Sequence, residues 1–466
     1  MPSLSQQAAH WIKNVQFSDF PEEVIEDTKL RVLDYIGLIL AAASMPIGKT
    51  FRDGVLEIES LGNTRGEGAT ILGYGDTTSP LWATIANGGM SHALDYDDTH
   101  NETVNHITGP VASAALSLGE SLGISGKDFL STVAAGNELS CRIGTCSPTT
   151  LLAIGWHPTS VIGTLAAGQV AGRLLGLSEE HLKDTMGLTG SQAGGLMEHF
   201  QDGTLVKSMH PGWNAHSGMV AAYLAKNGLT GPATVLEGRN GIFRTHMQEE
   251  GYEFTFDRMM KDIGKEWEIL NASFKPYPCM HVIHPFLDAL LYFCNEEGLR
   301  ADDVKKIICL VANYQVPICL EPAEEKKRPR TDYHARFSLQ YSLGAALYFG
   351  RLGVEACEDK YINDPDILEQ VDKVTYEIDK NAPSSRRFKG WIKIETTHGQ
   401  ELEKIVDHNW GSKENPMEPA DIELKFRENA LLILPETQVA EIIEKVHQLD
   451  KLENIRELIQ PCVVQK

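Results

Sequence analysis

What most restricts the fold is the density of Ala, Gly and Ser inside the apolar stretches of the first 270 or so residues, as in "LWATIANGGMSHAL", "STVAAG" and "GTLAAGQVAG". Small side chains on an apolar face let helix axes approach closely, so these stretches predict helix packed on helix. The start signals agree. Ser125 with Asp128 in "GISGKDFLSTVAAG" has the form of a capping box, and Ser178 stands before Glu179 and Glu180, acids that the helix dipole favours in a first turn. The two starts look alike, but one likeness is not a repeat array.

The texture changes after residue 270: "VKKIICLVANY", "KVTYEIDK" and "GWIKIETTHGQELEKIV" carry β-branched and aromatic residues in partial alternation, the last with a His398-Gly399 turn suited to a hairpin. "ARFSLQYSLGAALYFGRLG" between them reads as an apolar helix, and the chain returns to helical patterns after about residue 406. The predicted fold is therefore mainly α: a large all-helical domain of 1–270 and 406–466, carrying an inserted, smaller α+β lid of 271–405 hinged over it.

At 466 residues and 42% hydrophobic content the chain can bury a large core. Sixty-four acids against 42 bases, a formal charge of -22, argue against a nucleic-acid partner, since phosphate binding draws on clustered Lys and Arg. A small anion remains possible, because a few inward Lys and His residues make a local positive pocket. The N-terminal "MPSLSQQAAHWIKNVQ" lacks the basic and apolar pattern of a secretory leader, which points to the cytoplasm. "VLDYIGLILAAAS" is too short for a membrane span and holds Asp34, so it reads as a buried helix and no membrane partner is expected. Eight scattered cysteines without a CxxC pair predict reduced, mostly buried thiols.

Five polar clusters carry candidate chemistry. "ALDYDDTHNETVNH" holds Asp95, Asp97, Asp98, Thr99, His100 and His106; a helix running into it would place Asp95 and Thr99 on one face, with acids at the unfavourable negative helix end that some cation must offset. In "GWHPTS", Pro158 suits the first helical position, which puts His157 at a helix N-terminus where a neutral imidazole resists protonation. "DGTLVKSMHPGWNAHSG" sets Lys207, His210 and His216 in a Gly- and Pro-containing stretch that reads as a loop between helices. "FKPYPCMHVIH" brings Lys275, His281 and His284 around a proline-stiffened turn, with a histidine pair too bare to argue for metal. "DYHARFSLQY" offers Arg336, able to fork a carboxylate, and Tyr341.

Together, and in this order along nearly the whole chain, these clusters resemble the MmgE/PrpD family, whose members include 2-methylcitrate dehydratase, cis-aconitate decarboxylase and iminodisuccinate epimerase. The resemblance implies a large helical domain with an α+β lid, a homodimer, and an active site between lid and body. Motif by motif it carries site roles onto Asp95, Thr99, His106, His157, Lys207 and Lys275. The histidine that follows the lysine in animal cis-aconitate decarboxylases falls on Met280, with His281 one position further on.

The family reactions share proton transfer at a carbon next to a carboxylate or imine-bearing centre of a di- or tricarboxylic acid, which needs a base near neutral pKa and cations for the developing charge. His157 or His106 is the expected base and the other histidine the acid. Lys207 and Lys275 would hold carboxylates, with Thr99, His281, His284, Arg336 and Tyr341 completing the substrate site and Asp95 orienting a histidine. The expected activity is a hydro-lyase of the 2-methylcitrate dehydratase kind, with epimerase or decarboxylase as alternatives. No Walker loop, dinucleotide fingerprint or iron–sulfur cysteine set is present, so neither cofactor nor metal is expected. "DDTHNE" superficially matches the magnesium motif of terpene synthases, but no second motif at the required spacing follows.

Overall fold

The computed structural model describes residues 2–61, 68–148, 150–247, 252–382 and 388–465. The protein is mainly helical, with one small sheet region. Helices α1 (Glu22–Ala43), α2 (Pro80–His92), α3 (Thr108–Leu122), α4 (Gly126–Thr145), α5 (Pro158–Leu174), α6 (Glu179–Gly190) and α7 (Val206–Lys226) form the body. Ser125 caps α4 by accepting from the Asp128 amide at 3.1 Å, and Ser178 caps α6 by accepting from that of His181 at 3.2 Å. Among the described residues no single helix is long and apolar enough to cross a membrane. The apolar run beginning at Val32 is the buried second half of α1.

Close approach explains the small residues. At the crossing of α2 and α7 a Cβ on Gly88 would lie 2.5 Å from the Cα of Gly212, a distance that only paired glycines tolerate. That crossing overturns the loop expected around Lys207: α7 is continuous from Val206 with Pro211 inside it. Packing against α2 and α5 outweighs the local breaking tendency of proline and glycine.

The strand-bearing unit holds α8 (His284–Glu296), β3 (Val304–Val311), α9 (Leu339–Phe349), β4 (Val374–Ile378), β5 (Gly390–Thr396) and β6 (Glu401–Val406). Its sheet runs in the order β4-β3-β5-β6; β3 and β4 are parallel, the other pairs antiparallel. Gly399, at φ 82°, supplies the left-handed turn of the final hairpin.

Two apolar cores follow this division. One gathers Ala8 to Ala272 with Phe426 to Cys462; the other gathers Tyr277 to Ile394. Helices α10 (Pro419–Ala430) and α11 (Glu436–His447) pack on α1, where buried Lys425 pairs with Asp34 at 2.6 Å. The body is not purely helical, however. β1 (Thr99–His100) and β2 (Ala272–Ser273) pair antiparallel at the crossing point between the cores, satisfying the backbone of two turns that carry site residues. Ala69–Thr70 and Thr77–Thr78 form a second short ladder. All eight cysteines are buried and unpaired.

Candidate active site

Helix α2 stops at His92, and Asp95 takes the left-handed conformation at φ 49°. Asp95 and Thr99 therefore do not share a helix face as expected. The turn, tolerated by Asp better than by most residues, instead swings the carboxylate inward. The cations anticipated for this acid-rich end are present. Lys207 donates to Asp95 Oδ1, and Lys275 donates to its Oδ2 at 3.1 Å and its carbonyl at 2.6 Å. Burial opposes ionisation of Asp95, but the two ammonium groups outweigh it and hold the carboxyl well below its ordinary range.

The following acids have separate partners. Asp98 accepts from Arg31 of α1 at 2.7 Å and from the Thr108 hydroxyl of α3 at 2.6 Å, which ties the turn to two helices. Asp97 accepts from Nδ1 of His92 at 2.8 Å. His106 directs its Nδ1 to the Asp98 carbonyl at 2.9 Å, with the Thr99 hydroxyl 3.3 Å away. A carbonyl only accepts, so His106 carries its proton on Nδ1 and leaves Nε2 as a lone pair.

His157 is the N-cap of α5 with Pro158 at the first helical position, as its motif predicted. Its Nδ1 meets that of His210 of α7 at 2.9 Å, so one ring donates to the other, and its buried Nε2 has no partner among the described residues. His92, His106 and His157 cluster with ring centroids 4.7, 5.6 and 6.1 Å apart. Burial, with Lys207 adding to it, pushes His92 and His157 well below the ordinary imidazole range; burial does the same to His106 against the opposing charge of Asp97.

From the second unit, His281 presents its ring beside Phe388, with centroids 5.0 Å apart, and receives a hydrogen bond on Nε2 from Asn409 at 2.9 Å. Asp95, Thr99, His106, His157, Lys207, Lys275 and His281 thus line one cavity, together with Met280 and an apolar wall that includes Met197, Phe200, Phe337 and Phe388. Met280 and His281 both reach it, so the one-position offset still delivers an imidazole.

Three expected substrate-binding residues are elsewhere. His284 begins α8 behind the wall, its Nε2 spent on the Cys279 carbonyl at 3.1 Å. Arg336 is buried and donates to the Pro278 carbonyl at 2.8 Å, which ties down the turn that carries His281. The Tyr341 hydroxyl donates to the Ala356 carbonyl at 2.7 Å inside the second core. Each satisfies backbone where no helix or sheet does so, a role that residue type alone does not separate from ligand binding.

His92 and His210 join the site without a role assigned from the sequence, His92 because it lies inside an apolar helical stretch and His210 because its cluster reads as a loop. Asn409 and Phe388 carried no motif at all. Among the described residues two sets bring their ligand atoms within 4.8 Å of one another and could hold a metal ion: His92, His106 and His157, and His92, Asp95, Asp97 and His106. Asp97 and Asp98, the acids of the magnesium-like motif, are engaged by His92 and Arg31.

The family models for the MmgE/PrpD N-terminal and C-terminal domains match residues 6–255 and 277–451. The chain belongs to the MmgE/PrpD family. Among its relatives are cis-aconitate decarboxylases from Aspergillus terreus, 27% identical over 98% of this chain and 95% of that protein, and from Homo sapiens, 26% identical over 97% and 93%. A cis-aconitate decarboxylase-like protein of Aspergillus oryzae is 25% identical over 98% and 96%. Within the MmgE/PrpD family frame, the histidine and lysine cluster falls mainly in the N-terminal domain, while His281 and Asn409 reach it from the C-terminal one.

Proposed function

We propose that the protein is a lyase acting on a small di- or tricarboxylic acid, with proton transfer at the carbon next to a carboxylate as its central step. The observation that carries this reading is the convergence on one cavity of unprotonated imidazoles, His106 and His157, with Lys207, Lys275 and His281. The substrate carboxylates dock against the two ammonium groups, displacing part of their contact with Asp95. His106 Nε2 or His157 Nε2 takes the proton, and the lysine charges stabilise the enolate-like anion that forms.

Dehydration is the outcome the geometry supports best. Nε2 of His281 accepts from Asn409, so its proton sits on Nδ1, which has no partner among the described residues and is placed to donate to a leaving hydroxyl. A base and a hydrogen-bond donor on different segments suit the loss of hydroxide and proton as water. Decarboxylation is the second reading, favoured by the cis-aconitate decarboxylases among the relatives and by an apolar wall that would desolvate a departing carboxylate. We further propose that the strand-bearing unit acts as a lid. The exposed Val206, Met209 and Trp213 on α7 support a homodimer contact there.

The test is incubation with 2-methylcitrate, citrate, cis-aconitate and iminodisuccinate in deuterated water, followed by NMR. Water loss supports a hydro-lyase, carbon dioxide release a decarboxylase, and label without net change an epimerase. No reaction and no exchange with any acid would end the proposal.

A further inference from the structure

His92 does not line the cavity, yet its ring packs against both His106 and His157. The three side chains share one arrangement: each Nδ1 is anchored by a group behind it, and each Nε2 is left over. Asp97 holds His92, the Asp98 carbonyl holds His106, and His210 holds His157. Nε2 of His92 and of His157 is buried without a partner among the described residues, an expense for polar atoms that calls for an occupant. One ring nitrogen from each of the three lies within 4.8 Å of the others.

We infer that His92, His106 and His157 form a binding site for a borderline divalent transition-metal ion of the zinc type. Zinc takes imidazole nitrogens at roughly 2.0–2.1 Å, which sets tetrahedral donors roughly 3.3 Å apart, so ring nitrogens within 4.8 Å of one another would draw closer on binding. The outer contacts are those that imidazole ligands use: a carboxylate and a main-chain carbonyl fix the tautomers of His92 and His106, and His210 orients the ring of His157. Local charge does not forbid the ion. The ammonium groups of Lys207 and Lys275 both pair with Asp95, the charge of Asp97 acts on Lys207 as well, and Asp98 is matched by Arg31. Calcium and magnesium, which prefer oxygen donors, would not compete for three imidazoles.

A bound ion ties up Nε2 of both candidate bases, so zinc is an inhibitor of the free enzyme. This consequence rests on the catalytic roles proposed above; the binding site does not.

The experiment titrates zinc chloride calorimetrically into the full-length protein after chelator treatment. It repeats the titration with cobalt chloride, whose tetrahedral complexes absorb strongly in the visible range. One ion per chain and a tetrahedral cobalt spectrum are expected, both lost in His92→Gln, whose amide still donates to Asp97. Absence of uptake by the wild type, or uptake unchanged in that variant, overturns the site. Should His92→Gln not fold, X-ray absorption at the zinc edge of the wild type decides: three imidazole ligands support the site and fewer overturn it. Activity is the separate arm. Zinc bound with full turnover removes the roles given to His106 and His157 and leaves the site standing; inhibition reversed by EDTA supports both.

Discussion

Asn409 Nδ2 stands 2.9 Å from Nε2 of His281 and 3.0 Å from the carbonyl of Trp410, so both amide protons are spent and the imidazole has only one tautomer open to it. A residue beyond the last strand thereby decides which nitrogen of a cavity-lining histidine carries hydrogen. Replacing Asn409 with Leu removes that control. kcat is expected to fall at least about tenfold, a fraction of what acid–base groups contribute. Nitrogen-15 NMR should show His281 passing from the Nδ1–H form to a mixture. A single unchanged tautomer in the variant would rule out this positioning role.

His157 and Lys207 are expected to fail differently. His157→Ala removes a base and should lower kcat by about 10²-fold or more, with little change in KM. Lys207→Met removes a carboxylate contact and should raise KM as well. Asp95 keeps its bond to Lys275 in that variant, so no buried carboxylate is stranded and the protein should remain folded. Steady-state kinetics with circular dichroism on the same preparations checks both; full activity in either variant contradicts the assignment.

The parts of this site that were legible in the sequence are those where backbone and side chain speak together. His157 beside Pro158 announced a helix start, and the strands of the second unit announced themselves by β-branched residues between turns. The misplaced parts share one cause, tertiary packing overriding local preference. Pro211 and Gly212 look like a loop until Gly88 of α2 is set against them. Asp95 looks helical until two lysines from distant segments draw it into a left-handed turn. His92, inside an apolar helix, is indistinguishable from a packing residue without Asp97 in view.

Arg336 and Tyr341 test the difference between motif and site. Tyr341→Phe leaves the Ala356 carbonyl without its donor and should destabilise the fold by about 1–3 kcal/mol, the ordinary cost of a stranded buried polar group. KM should not move, because neither residue lines the cavity. Urea unfolding and kinetics on Tyr341→Phe and Arg336→Met check this; a selective rise in KM for Tyr341→Phe would return that residue to the substrate site.

The buried histidines fix how stability depends on acidity. Burial, with Lys207 beside it, lowers His210 to about 4 and His199 to about 3, and burial also lowers His92, His106 and His157 well below the usual value. In the unfolded chain the same rings titrate near pH 6.5, so the unfolded state takes up protons first as pH falls. Their contribution to stability is whole above about pH 6.5 and drains away below it, the loss levelling off only below the folded-state values. The midpoint of urea unfolding should therefore drop steadily from about pH 6.5 to pH 5. Within that window His210→Gln should show a shallower dependence than the wild type, because one proton-binding site is lost from the unfolded chain alone. Equal slopes for the two proteins would mean that His210 titrates alike in both states, and that the depression argued from its burial is absent.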